Sequence, residues 1–353
     1  MDYKQTLNRL IDLVVKQGAS DLHISEGRKP ILRVADVLIP LTQEKETSAE
    51  EARGILAEMI NAKKQEVFLT KKEVDFAYNH ENKIRFRGNA FFQQKKVGIA
   101  LRLVPSKIRT LEELNLPEQL ELFTKKKQGF FLCVGPTGQG KSTTLAALVE
   151  IINKNRLEHI ITIEDPIEYV FTPKKSIIDQ REIGEDTLNF HDALTGVFRQ
   201  DADVVMIGEM RGTDTMETAV TAAETGHLVM STLHTNNASQ TIDRIIDSFP
   251  GDQQDQIRLQ LAASLTGIFS QRLIPRVSGG LVPAYELLIA NTAVRNLIRE
   301  NRTHEIPTVV ETSSEDGMVD MNRTLAELVR AGEITVEDAY AHSTNSSVLE
   351  RML

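Results

Sequence analysis

Phe130-Phe131-Leu132-Cys133-Val134-Gly135-Pro136-Thr137-Gly138-Gln139-Gly140-Lys141-Ser142-Thr143 decides how the rest of the chain is read. An apolar run reads as a strand, a glycine-rich loop follows, and then Leu145, Ala146, Leu148, Ile151 and Ile152 recur at helical spacing. Glycine, four residues, glycine, lysine and serine, set between a strand and a helix, is the spacing of a phosphate-binding loop. Its glycines let backbone N–H groups approach phosphate oxygens, and the positive end of the helix dipole faces the same charge. Lys141 is then expected at the β- and γ-phosphates of a nucleotide, and Ser142 on magnesium.

Downstream, three more apolar runs, at 160–163, 204–207 and 228–233, each close on residues with chemical capacity: Glu164 and Asp165, Glu209, and His234. Strands alternating with helical segments predict a parallel sheet covered by helices, and ligands bind beyond the carboxyl ends of such strands. The four clusters are therefore expected in one crevice. Gly208 stands where a magnesium-holding aspartate usually ends the second nucleotide strand. That leaves two roles for Glu209: holding magnesium, partly through water, or orienting the attacking water. Glu164, Asp165 and Glu168 gather around Pro166, and acids near a triphosphate require a metal or a proton to offset them. His234 is placed to sense or hydrogen-bond the γ-phosphate, whereas His227, at the entry of the same run, reads as a packing residue.

Upstream, Ile84 and Phe86 alternate with Arg85 and Arg87, and Val97, Ile99, Leu101 and Leu103 with Gly98, Ala100 and Arg102. These are strands with one arginine-bearing face. An arginine delivered from outside the phosphate loop can neutralise charge that builds on the γ-oxygens. A helix over 4–17, with Leu7, Leu10, Ile11, Val14 and Val15 apolar, opens the chain and stops at Gly18.

The whole chain sets the outer bounds. Its 353 residues call for more than one core, and 41% hydrophobic with 26% charged residues is a globular composition. A net charge of -9 argues against a polyanion as partner of the whole surface. The single cysteine, Cys133, excludes an internal disulfide and a four-cysteine zinc site. The N-terminus lacks the pattern of a signal peptide, and no run approaches the roughly 20 apolar residues of a membrane span. Pro105, Ser106, Pro117 and the run Lys125-Lys126-Lys127 place a boundary between 105 and 125. From 291 the chain reads as helical, and 313–353 carries eight acids against three arginines.

With these residues assembled, the chain resembles the type II/IV secretion ATPase superfamily, most closely its branch that retracts type IV pili. Gln17-Gly18-Ala19-Ser20-Asp21-Leu22-His23 is similar to the family's opening, Gly135 to Thr143 to its Walker A loop, and 163–168 to its Asp box. Residues 207–211 are similar to its Walker B, Gly208 included, and 225–235 to its His box. Ala293-Val294-Arg295-Asn296-Leu297-Ile298-Arg299-Glu300 resembles a motif of the retraction branch. Gln139 departs from a commoner serine, which matters little if the loop works through its backbone. Gly212 departs from a frequent aspartate, which puts the role of Arg211 in doubt.

The resemblance implies a PAS-like α+β domain (1–105), a linker (106–124), a RecA-like P-loop ATPase domain (125–290) and a helical C-terminal segment (291–353). It implies a homo-hexamer hydrolysing ATP with Mg2+ in the cytoplasm, at the inner face of the membrane, and meeting that membrane only through a pilus platform protein. Arg85 and Arg102 of one part of such a ring would complete the nucleotide site of another. The missing zinc module and the lack of room for an extra N-terminal domain favour retraction over the rivals, a pilus extension or type II secretion ATPase. A RecA-like nucleic-acid motor is disfavoured by 5% aromatic residues, no tryptophan and the net charge of -9. A regulatory module that holds nucleotide without turnover is the remaining alternative.

Overall fold

A computed structural model describes residues 2–35, 37–81, 84–105 and 107–353; Met1, Asp36, Asn82, Lys83 and Ser106, the last opening the expected linker, lie outside it. The protein is mixed α/β and divides into two compact units, Met1–Ser106 with Glu168–Val170, and Lys107–Ile167 with Phe171–Leu353.

The first unit is built on β1 (Asp21–Ser25), β2 (Ile31–Val34), β3 (Val37–Pro40), β4 (Glu73–His80), β5 (Ile84–Gln93) and β6 (Lys96–Val104). Their order is β3-β2-β1-β6-β5-β4, with every pair antiparallel. Asp2 caps helix Tyr3–Lys16 by accepting from the Gln5 amide, and Leu7, Leu10, Ile11 and Val14 pack with Leu22, Ile24, Phe86, Ile99 and Leu101. Val15, expected on that face, is 51% exposed. It lies about 90° from the centre of the stripe, outside the packed arc. The alternation over 84–104 produces β5 and β6, with Arg87 directly opposite Arg102. Arg85, two residues from Arg87, shares their face of the sheet, and Phe86, Ile99 and Leu101 are buried on the other.

The second unit holds β7 (Gly129–Val134), β8 (His159–Glu164), β9 (Ile177–Glu182), β10 (Val204–Ile207), β11 (Leu228–Leu233), β12 (Leu265–Pro275) and β13 (Leu281–Ile289). The order is β13-β12-β7-β11-β10-β8-β9, parallel except for the β12–β13 hairpin. Strands β7 and β11 are buried at every position, as central strands of a parallel sheet are. Three strands had no apolar run to announce them. Strand β9 is a polar edge with Ile177 64% exposed, and β12 follows directly on helix Gln254–Ser264, where the two periods merge. Strand β13 is continuous, but Pro283 and Glu286 interrupt its apolar run in the sequence.

Residues 107–124 belong to this unit, with Leu111, Leu116, Leu120 and Phe123 buried and the Phe123 ring 4.5 Å from that of Phe131. After β13 the chain is helical. Leu325, Ala339 and Leu349, on helices Met321–Arg330, Val336–His342 and Ser346–Met352, close a separate core against Ile274, Val282 and Ala284 of the hairpin. Because β7, β8, β10 and β11 are parallel, their carboxyl ends share one edge of the sheet.

Candidate functional site

The loop 135–142 leaves β7 with Gly135 at φ +150°, where a Cβ would lie 2.5 Å from the Gln271 carbonyl oxygen. It enters helix Lys141–Asn155 through Gly140 at φ +80°, a left-handed position that favours glycine. Ser142 and Thr143 occupy the first turn of that helix. The Lys141 ammonium donates to the carbonyls of Gly135 and Pro136, both at 2.8 Å, and is 3.4 Å from His234 Nδ1.

His234 follows β11 and joins three loops. Its Nδ1 is also 3.5 Å from Thr137 Oγ1, and its Nε2 is 3.5 Å from Glu209 Oε2. Nδ1 thus faces an ammonium, which can only donate, and Nε2 faces a carboxylate, which can accept. Glu209 in turn pairs with Arg211, raising that guanidinium further above its ordinary pKa, and Arg211 reaches Asp165 Oδ2 at 3.9 Å. Lys141, His234, Glu209, Arg211 and Asp165 thus form one run of polar contacts across the ends of β7, β11, β10 and β8. The strand ends are stitched beneath it: Thr232 donates to the Gly208 carbonyl at 2.6 Å and Ser231 to that of Ile207 at 2.9 Å.

The other candidates divide. Glu164 is 5% exposed and accepts from Thr162 Oγ1 at 2.6 Å and Gln180 Nε2 at 3.2 Å, so it sits under the edge rather than in the run. His227 lies at the opposite end of β11, with Nδ1 3.0 Å from the Ala222 carbonyl and its ring edge-on to Phe198. In the first unit, Arg102 donates from Nε to Asp21 Oδ1 at 2.8 Å, and Arg85 donates to Asn79 at 3.3 Å. Burial raises the Asp21 pKa, but hydrogen bonds from Ser20 and Arg102 outweigh it and hold the carboxyl below its ordinary value. Glu168, which groups with that unit, is 3.5 Å from Arg87.

Two residues beside the loop carried no sequence signal. Gln271 and Arg272 lie on β12, which no apolar run marks. The Arg272 guanidinium donates to the carbonyls of Gln271 and Asn236, and burial lowers its pKa. Gln139 was expected to act through its backbone alone; instead its side-chain oxygen accepts from the Leu273 amide at 2.6 Å.

The family model for type II/IV secretion system proteins matches residues 3–280. A type IV pilus retractation ATPase, PilT, of Pseudomonas aeruginosa is 41% identical over 338 residues, covering 94% of this chain and 96% of that protein. A twitching motility protein of Neisseria gonorrhoeae is 45% identical over 302 residues, 85% of this chain and 81% of the relative. The crystal structure of the pilus retraction motor PilT with bound ADP matches at a TM-score of 0.91 and 45% identity, covering 97% of this chain and 98% of that one.

Proposed function

The chain belongs to the type II/IV secretion system protein family, and from that premise we propose that it is the ATPase motor that retracts type IV pili. The observation that carries this reading is the ordered run from Lys141 to Asp165, in a chain that matches a pilus retraction motor over 97% of its length. A strand-end edge with a phosphate loop, an imidazole and an acid in mutual contact suits phosphoryl transfer to water.

Lys141 neutralises the β- and γ-phosphates, and the backbone N–H groups of 138–143 cradle them. His234 reports the γ-phosphate to Glu209 through the contact of its Nε2 with that carboxylate. Glu209 orients the attacking water, with Glu164 behind it. Arg85 and Arg102, from a neighbouring copy in a homo-hexamer, meet the γ-oxygens.

Among the described residues no group of three or more metal-ligating side chains occurs. The donors present, the Ser142 hydroxyl and the Glu209 carboxylate, fit Mg2+, which takes one or two protein oxygens and completes its shell with phosphate and water. Held by those two side chains, the ion would supply Lewis-acid neutralisation of phosphate charge.

Among the described residues no helix is long and apolar enough to cross a membrane. The proposed place is the cytoplasmic face, reached through a membrane-embedded platform protein. Phosphate release from ATP tests the site: the wild-type chain should turn over ATP, and Lys141→Ala should abolish turnover. Near-normal release by the variant would refute the assignment.

A further inference from the structure

Gln271 lies outside the phosphate-loop motif, yet it is 3% exposed and both ends of its amide are engaged there. Its Nε2 donates to the Gln139 carbonyl at 2.8 Å, and its Oε1 accepts from Thr144 Oγ1 at 2.6 Å. Thr144 Oγ1 is also 3.2 Å from the Gly140 carbonyl. Two residues along β12, the Leu273 amide donates to the Gln139 side chain at 2.6 Å. The turn from loop to helix is therefore gripped from β12 on both sides of Gly140.

A trans peptide unit is planar, with its carbonyl and the following N–H pointing in opposite directions. Fixing the Gln139 carbonyl on Gln271 consequently turns the Gly140 N–H away from β12. That N–H opens the series of amides at the start of helix Lys141–Asn155, the group that a phosphate-binding loop presents to anions. The grip needs an amide: the Gln139 carbonyl requires a donor, the Thr144 hydroxyl an acceptor, and a carboxylate supplies only the second.

The geometry points to Gln271 as a positioning residue that fixes the phosphate loop to bind the diphosphate of a nucleotide, with Gln139 as its second hold on β12. The inference rests on the nucleotide-site reading above, and it assigns selectivity for the β-phosphate to two glutamines that no phosphate need touch. Loss of the grip frees the Gly140 peptide to rotate and removes an aligned donor. Affinity for ADP then falls, while AMP, which has no β-phosphate, binds as before.

Calorimetric titration of the full chain with ADP and Mg2+, and separately with AMP, tests this, alongside thermal unfolding of the nucleotide-free protein. Gln271→Leu and Gln271→Glu should each weaken ADP binding about tenfold and AMP binding less than about twofold, the loss expected for one or two buried hydrogen bonds. Gln139→Ala should shift the ADP-to-AMP ratio about threefold in the same direction, because it loses only the Leu273 hold. Equal losses for ADP and AMP, or unchanged ADP affinity in a folded Gln271→Leu, would overturn the inference. Should Gln271→Leu fail to fold, the half-buried Gln139→Ala decides alone, and an unchanged ratio there overturns it. A wild-type chain that binds no ADP would instead sink the nucleotide site itself.

Discussion

His234 is the residue through which the others communicate. It faces the Lys141 ammonium with one nitrogen and Glu209 with the other, so its loss uncouples the phosphate loop from the end of β10. His234→Ala is expected to lower kcat by about 10²–10³, the scale for removing one aligned polar group from a transition state, with little change in ADP affinity. Steady-state kinetics beside an ADP titration checks this, and an unchanged kcat would contradict it. Cys133 gives a second residue-scale test. Buried in β7, its thiol is pushed up to about 12 by burial, so it should resist alkylation at pH 8 in the native state and react once unfolded. Rapid labelling of the native chain would contradict that placement. Lys141, Glu209 and His234 were legible in the sequence because each follows an apolar run, on the side where parallel strands place ligand-binding groups. Gln271 was not, because it lies within its strand and its work depends on a contact 132 residues away.

At the scale of elements, the segment 293–300 divides into two faces. Val294, Leu297 and Ile298 are buried, whereas Asn296, Arg299 and Glu300 are exposed. Arg295 belongs to neither face: its guanidinium donates to the carbonyls of Ala262, Ala263, Leu265 and Ala290, closing the C-terminus of helix Gln254–Ser264. A cation there satisfies orphan carbonyls and complements the helix dipole. Arg295→Ala should destabilise the second unit by about 2 kcal/mol in urea unfolding, whereas Arg299→Ala should leave stability within about 0.5 kcal/mol.

Strand β13 carries a pH-dependent term. Burial lifts the Glu286 pKa from 4.5 to about 7, with Asp320 adding to the rise and the Ala238 amide, Ser270 and Arg272 opposing it. Between those values the native state holds a proton that the unfolded chain has released, so this group makes stability fall as pH rises from 4.5 to about 7. Glu286→Gln keeps an acceptor for the Ala238 amide and should remove a decline on the order of 3 kcal/mol between pH 5 and pH 8. Parallel pH profiles for the two proteins would contradict this.

At the scale of the whole molecule, the first unit carries its arginines on one sheet face and the second carries the nucleotide run on one sheet edge. Period-two alternation over 84–104 gave the first away, and uninterrupted apolar runs gave the second, because strands buried on one face and strands covered on both faces obey different burial rules. What stayed hidden is the β12–β13 hairpin, which joins the phosphate loop on one side to the C-terminal helices on the other. Its sequence merges with the helix before it, and the contacts that tie it to the loop and to the C-terminal helices are long-range. The motor reading asks that chemistry at the edge be converted into movement of a fibre. Pili observed on live cells lacking this protein, then supplied with the wild-type chain or with Lys141→Ala, test that claim most directly. The account predicts abundant pili that extend and do not retract, with retraction restored by the wild type alone. Cells without pili, or retraction restored equally by Lys141→Ala, would contradict it.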